Sequence, residues 1–107
     1  MTWNPADYDD RAIGPMGLHD AILLDAICSY VRPRVYLEYG GLLGHSLAVA
    51  APHCGYCVSV DDNAGERLRE VARTAITARV VKGDMAEYDP TADGLHNVDL
   101  VFVDASH

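Results

Sequence analysis

The chain has 107 residues, half of them hydrophobic and 22% charged, with 16 acidic side chains against 8 basic ones and a formal net charge of −8. That mixture fits one globular domain and excludes a disordered segment. It also argues against nucleic acid or an anionic membrane as the main partner, because both are bound by a basic patch that displaces counterions. After Lys82 no Lys or Arg follows, while six carboxylates run from Asp84 to Asp104; such a stretch suits a neutral or cationic ligand, or a metal.

No apolar run approaches the ~20 residues that cross a bilayer. Met1 to Asp10 carries acidic residues and no basic cluster ahead of an apolar stretch, unlike a secretory signal. Three cysteines, Cys28, Cys54 and Cys57, are too few and too odd for a disulfide scaffold. The expectation is a soluble cytoplasmic protein.

Residues 1–16 hold Trp3, Pro5, Gly14 and Pro15 without periodicity and read as an irregular arm; residues 17–107 read as a single domain. Leu18 to Val31 is apolar at most positions, with Asp25, Ser29 and Arg32 as a polar stripe at helical spacing, and Pro33 stops this helix. Arg34-Val-Tyr-Leu-Glu-Tyr39 is a strand running into the glycine turn Gly40-Gly41. His45 to Ala51 is a short apolar helix ended by Pro52, and Tyr56 to Val60 is a buried parallel strand stopping at Asp61-Asp62. Asn63 and Glu66 form a capping-box pattern ahead of the helical face Leu68, Val71, Ala72 and Ala75. Ala78 to Val81 is another short strand, closed by Gly83-Asp84. Glu87 to Asn97 reads as a loop with room for one helical turn, and Val98 to Val103 as an apolar strand. Alternation of this kind implies an α/β fold, a parallel sheet flanked by helices through right-handed crossovers.

Ligands of such sheets bind beyond the carboxyl ends of the strands, and each strand here ends in a carboxylate or a glycine turn: Glu38 and Gly40, Asp61, Asp84, Asp104. In Glu38-Tyr-Gly40-Gly-Leu-Leu-Gly44-His-Ser46 the glycines permit a sharp turn and close approach of a ligand. The dinucleotide pattern G-x-G-x-x-G fits no register, because its middle glycine is missing. Asp61 lies 21 residues after Gly40, close to the ~20 at which an acid meets ribose hydroxyls. Asp61 also reads as a helix cap, and Asp84 as either a turn former or an acceptor for an adenine amino group.

In this order and spacing the motifs resemble the N-terminal part of a class I S-adenosylmethionine (SAM)-dependent methyltransferase of the small-molecule O-methyltransferase-like branch. The resemblance covers Leu18 to His107. Leu37-Glu-Tyr-Gly40-(x3)-Gly44-His-Ser46 is similar to that family's E-x-G-x-x-x-G-x-S turn, Val58-Ser-Val-Asp61 to its second strand, Val81-Lys-Gly-Asp84 to its third, and Asp99-Leu-Val-Phe-Val-Asp104-Ala-Ser-His107 to its fourth. The resemblance implies a Rossmann-like three-layer fold with a short, mainly parallel sheet, truncated after the fourth strand of an order 3-2-1-4-5. It implies that Glu38 bonds the methionine ammonium, that Gly40, Gly44 and Ser46 line the carboxylate, that Asp61 holds the ribose, and that Asp84 and Met85 meet the adenine. It also implies Asp104 as a catalytic residue and ligand of a divalent cation such as Mg²⁺, with His107 either a general base beside it or a terminus. The family's remaining strands supply much of its pocket for a small-molecule hydroxyl substrate, so the chain is expected to be weak or inactive alone.

The alternatives are a non-catalytic nucleotide-binding or self-assembling module, and an NAD-type domain disfavoured by the missing glycine. Cys54-Gly-Tyr-Cys57 has C-x-x-C spacing but precedes a strand instead of opening a helix, which speaks against a reactive thiol. His53 with these cysteines lacks the second ligand pair of a zinc site. Trp3, Tyr8 and Met16 read either as a lid over a cofactor or as cover for bare sheet. The unpaired edge of Val98–Val103, with bare sheet near Leu100 and Phe102, leads to the expectation of a homodimer through that strand.

Overall fold

A computed structural model describes residue 4 and residues 17–40, 44–75 and 77–103. Helix α1 spans Leu18–Val31, strand β1 Val35–Tyr39, helix α2 His45–Ala50, strand β2 Tyr56–Asp61, helix α3 Glu66–Thr74, strand β3 Ala78–Lys82 and strand β4 Leu100–Val103. The arm expected over residues 1–16, with Trp3, Tyr8 and Met16, lies outside the described residues apart from Asn4.

The four strands form one sheet in the order β3-β2-β1-β4, and every neighbouring pair is parallel. Side chains alternate across a strand, and the two faces are filled differently. On one face Tyr36 and Cys57 pack with Ala21, Leu24 and Cys28 of α1, Leu47 and Ala50 of α2, and Leu68 and Ala72 of α3. On the other, Leu37, Val58 and Val60 pack under Leu95, Met85, Tyr88 and Val98. The third layer is therefore the segment between β3 and β4, and it holds only one 3₁₀ turn, Pro90–Asp93. Two contacts pin that segment. Tyr88 meets Tyr39 edge to face at 6.3 Å, and Asp93 accepts from the Tyr88 hydroxyl at 2.8 Å and pairs with Arg79 at 3.1 Å.

Several elements depart from the expected boundaries. Helix α1 ends where expected, with Arg32 in the left-handed region at φ 50°, one residue before Pro33. Its outer surface is more apolar than a polar stripe implies: Ile22, Leu23, Ile27 and Tyr30 are all exposed. Pro52 does not end the helical path after α2; it sits in the first positions of a 3₁₀ turn, Ala51–His53, where its missing N–H costs nothing. His53 Nε2 lies 2.7 Å from Asp25 Oδ1 and ties that turn to α1. Helix α3 is capped by Gly65 without a side-chain bond, so Asn63 and Glu66 form no capping box.

Strand β4 begins at Leu100, not Val98. The Asp99 carboxylate accepts the backbone N–H groups of Arg34 and Val35 at 2.8 and 3.2 Å, and its own N–H bonds the Val35 carbonyl at 3.1 Å. The strand is at the sheet edge, as expected, but the bare surface is not at Leu100 and Phe102. Those two pack against the helix-side core, while Val101 and Val103 on the opposite face are 49% and 65% exposed.

Candidate functional site

A parallel sheet gathers the carboxyl ends of its strands along one rim. Here the register sets Tyr39 opposite both Val60 and Val103, and Asp61 opposite Lys82. The chain stays tied to the sheet just past two strands, through Gly40 N–H to the Val60 carbonyl at 2.8 Å and Gly83 N–H to the Asp61 carbonyl at 3.2 Å. Gly40, Asp61 and Asp84 are thereby brought to one rim. Residues 41–43 and 104–107 lie outside the described residues, so Asp104 and His107 have no described place.

The turn after β1 depends on glycine at two positions. Gly40 has φ 95° and Gly44, the N-cap of α2, has φ 86°, both in the region that side chains disfavour. At Gly44 a Cβ would also lie 2.8 Å from Val71 Cγ2. The absent side chain lets α3 close directly onto the start of α2.

Below this turn is a buried polar cluster. Glu38 and Tyr36 lie two residues apart on the helix-facing side of β1, and neither has any exposure. Ser59, equally buried, stands opposite Glu38 in the register. The Tyr36 hydroxyl donates to Glu38 Oε1 at 2.8 Å and the Ser59 hydroxyl to Oε2 at 2.6 Å. Ser46, in the first turn of α2 and 5% exposed, is a third hydroxyl partner. Burial pushes the Glu38 carboxyl above its usual range against the pull of these three hydroxyls, and the nearby Asp61 pushes the same way. Burial, reinforced by the Glu38 carboxylate, likewise drives the Tyr36 phenol far up.

Asp61 is 5% exposed, and its Oδ1 accepts the Asn63 N–H at 2.8 Å. Asp61 therefore caps no helix, since α3 starts after Gly65 without a side-chain cap; its carboxylate instead closes the turn after β2, alongside its place at the rim. Asp84 behaves likewise: it is exposed, and its Oδ1 accepts the Ala86 N–H at 2.9 Å. Met85 is half-buried against the loop-side core.

Glu38, Ser46 and Asp61 thus converge from three elements, with Gly40 and Gly44 at the two ends of the turn and Asp84 at the next strand end. Sequence reasoning passed over Tyr36 and Ser59. Their signal was present: a tyrosine two residues before the acid, and one hydroxyl inside the apolar run Val58-Ser-Val60.

The cysteines lie in the helix-side core. All three are free thiols. The Cys28 thiol bonding to Cys54 favours its thiolate, but a bond to Cys57 and burial prevail and push Cys54 up to about 12. That is the opposite of an activated C-x-x-C thiol. Among the described residues no three metal-ligating side chains converge on one point, and no helix is long and apolar enough to cross a membrane.

No protein-family model matches the chain, and no curated protein matches it in sequence. Solved structures do match in fold. The O-methyltransferase TomG from Streptomyces achromogenes, involved in tomaymycin synthesis and solved in complex with SAM, superposes with a TM-score of 0.72 at 24% identity over 94% of this chain and 48% of its own. Cofactor-bound Rv0187 from MTB gives 0.69 at 27% identity, again over 94% and 48%. A putative O-methyltransferase from Klebsiella pneumoniae gives 0.71 at 19% identity over 88% and 46%. The chain has the Rossmann-like fold of SAM-dependent O-methyltransferases and spans about half the length of these structures.

Proposed function

We propose that the rim formed by Gly40, Gly44, Ser46, Asp61, Asp84 and Met85, above Glu38, binds S-adenosylmethionine. One observation carries this reading: two acids, Glu38 and Asp61, stand at neighbouring strand ends beside a turn with two positive-φ glycines, in a fold shared with a methyltransferase solved with SAM. The residues suit the ligand. The turn leaves no Cβ at Gly40 to obstruct the methionine carboxylate, Ser46 stands beside it, and Glu38 puts a carboxyl under the ammonium. Asp61 serves the ribose hydroxyls, with Asp84 and Met85 towards the adenine. SAM, when bound, supplies a methyl group on a positive sulfonium, and an acidic rim favours that charge.

In the complete family fold this half serves methyl transfer to a small-molecule hydroxyl. Orienting an acceptor against the sulfonium is most of what such an enzyme contributes, and this chain spans only about half of the matching structures. The reading is therefore a cofactor-binding domain with weak or no activity by itself. The other reading, a non-catalytic nucleotide-binding or self-assembling module, draws on the exposed valines of edge strand β4. A second copy pairing along β4 would extend the sheet. Asp104, the residue assigned to a divalent cation, lies outside the described residues. The three free thiols support a reducing, cytoplasmic compartment.

Calorimetric titration with SAM, S-adenosylhomocysteine and NAD tests the reading. Saturable binding of the first two without NAD supports it; binding of NAD alone, or of none, refutes it. Robust methylation of a catechol-type substrate by the purified chain would refute the inactivity expected of it.

A further inference from the structure

The cluster around Glu38 has a property beyond placing a carboxyl under a cofactor. Among the described residues, the ion pairs join His53 to Asp25, Arg73 to Glu66 and Arg79 to Asp93, and none involves Glu38. Its partners are three hydroxyls, from Tyr36, Ser59 and Ser46. Among the described residues, the other groups near it that these contacts identify carry no positive charge: Asp61 on β2, the Cys28 thiol of α1, the Cys54 thiol ahead of β2, and Phe102 opposite on β4. An ionised carboxylate buried without a cation is costly. A hydroxyl, however, both donates and accepts. Three hydroxyls can all donate to the carboxylate, or one can turn to accept from the acid while the others still donate. The carboxyl keeps hydrogen-bond partners in either state without moving a heavy atom.

We propose that this cluster is a proton seat coupled to the site above it: Glu38 carries a proton in the ligand-free chain and releases it when the positive groups of SAM enter the turn after β1. This rests on the cofactor reading of that turn. The balance is simple: one carboxyl O–H bond breaks, its proton passes to the buffer, and the ligand's positive charge takes its place with nothing oxidised or reduced. Burial and the Asp61 charge hold the proton on Glu38, and a cation within roughly 4–6 Å favours its loss. Tyr36 and Ser59 are positioning residues that act through Glu38, because each donates to the form that remains after the proton leaves.

Two measurements on the purified chain test this. Infrared difference spectra, wild type minus Glu38→Gln, should show a protonated carboxyl band at neutral pH without ligand and a carboxylate in its place with saturating SAM. Calorimetry in buffers of different ionisation enthalpy should detect proton release on SAM binding, with affinity rising up to roughly tenfold per pH unit until ligand-free Glu38 ionises. Tyr36→Phe keeps the ring in the core and removes one donor to the carboxylate, so the same rise in affinity should move to higher pH while the fold persists. A general packing defect would weaken binding equally at all pH values. SAM binding without proton release, together with an ionised Glu38 in the free chain, would overturn the proton seat and leave the cofactor reading standing. A wild type that binds no SAM, even with the protonated band present, would overturn the cofactor reading and the coupling with it.

Discussion

Ser59 stands opposite Glu38 across the β1–β2 register and donates to its carboxyl at 2.6 Å. The polar floor of the site is thus built by strand pairing, before any loop contributes to it. A hydrogen bond contributes roughly 0.5–1.5 kcal/mol net while its acceptor is neutral and roughly 1.5–3 kcal/mol once the acceptor is ionised, so this pair matters to stability and more so to binding.

The stability of the ligand-free chain should carry the signature of Glu38. Its folded carboxyl is raised above the ordinary value of 4.5, so the folded chain binds more protons than the unfolded one over the interval between the two. Stability is then full below about 4.5 and declines as pH rises through the folded value. Urea unfolding across pH should show this decline in the wild type and a flatter profile in Glu38→Gln. A wild type that gains stability over the same interval, relative to the variant, would contradict the direction.

At Asp61 the prediction concerns affinity. Asp61→Ala should weaken SAM binding by roughly 1.5–3 kcal/mol, measured by calorimetry. Because Asp61 also accepts the Asn63 N–H, Asp61→Asn is the informative companion: it retains the turn acceptor and loses the charge. Unchanged affinity in both, with the fold intact, would remove Asp61 from the site.

Gly44→Ala should destabilise the chain by roughly 1–3 kcal/mol from backbone strain, with a further cost from the 2.8 Å approach to Val71 Cγ2. Adding Val71→Ala should recover only the contact portion, since φ 86° remains unfavourable for a side chain. Thermal unfolding of the single and double variants would separate the two; full recovery in the double variant would mean that the backbone is not strained there.

For assembly, sedimentation should report a dimer in the wild type and its loss in Val101→Lys, which puts a charge on the 49% exposed position of the edge strand. A monomeric wild type, or a dimer indifferent to the lysine, would count against pairing along β4.

The α/β alternation and the strand ends were legible in the sequence because local features set them: Pro33 behind α1, glycine after β1, acids after β2 and β3. Features that depend on partners were not. The alternation of Leu100 to Val103 shows two faces but not which one meets the helices, and the structure turns Leu100 and Phe102 inward where bare sheet was expected. Asn63 has the chemistry of a cap, but the Asp61 carboxylate engages its N–H and α3 starts after Gly65. The role of Ser59 depends on a partner in the same way: a strand gives the side on which a hydroxyl lies, and only the register gives the acid it meets.

Asp99 sets the position of the last strand. No tight turn joins β4 to its neighbour β1; the segments that precede them are far apart in the chain. The alignment is held at one end by a single carboxylate clasping two adjacent N–H groups. Slipping by one residue would break both bonds and turn the inward pair Leu100 and Phe102 to the other face. A strand of four residues spans only about 13 Å, so little slack accumulates along it. The end of β4 at Val103, on the rim where Gly40, Asp61 and Asp84 gather, is therefore fixed from the opposite rim, and Asp99→Ala would be felt at the far end of a strand it does not itself enter.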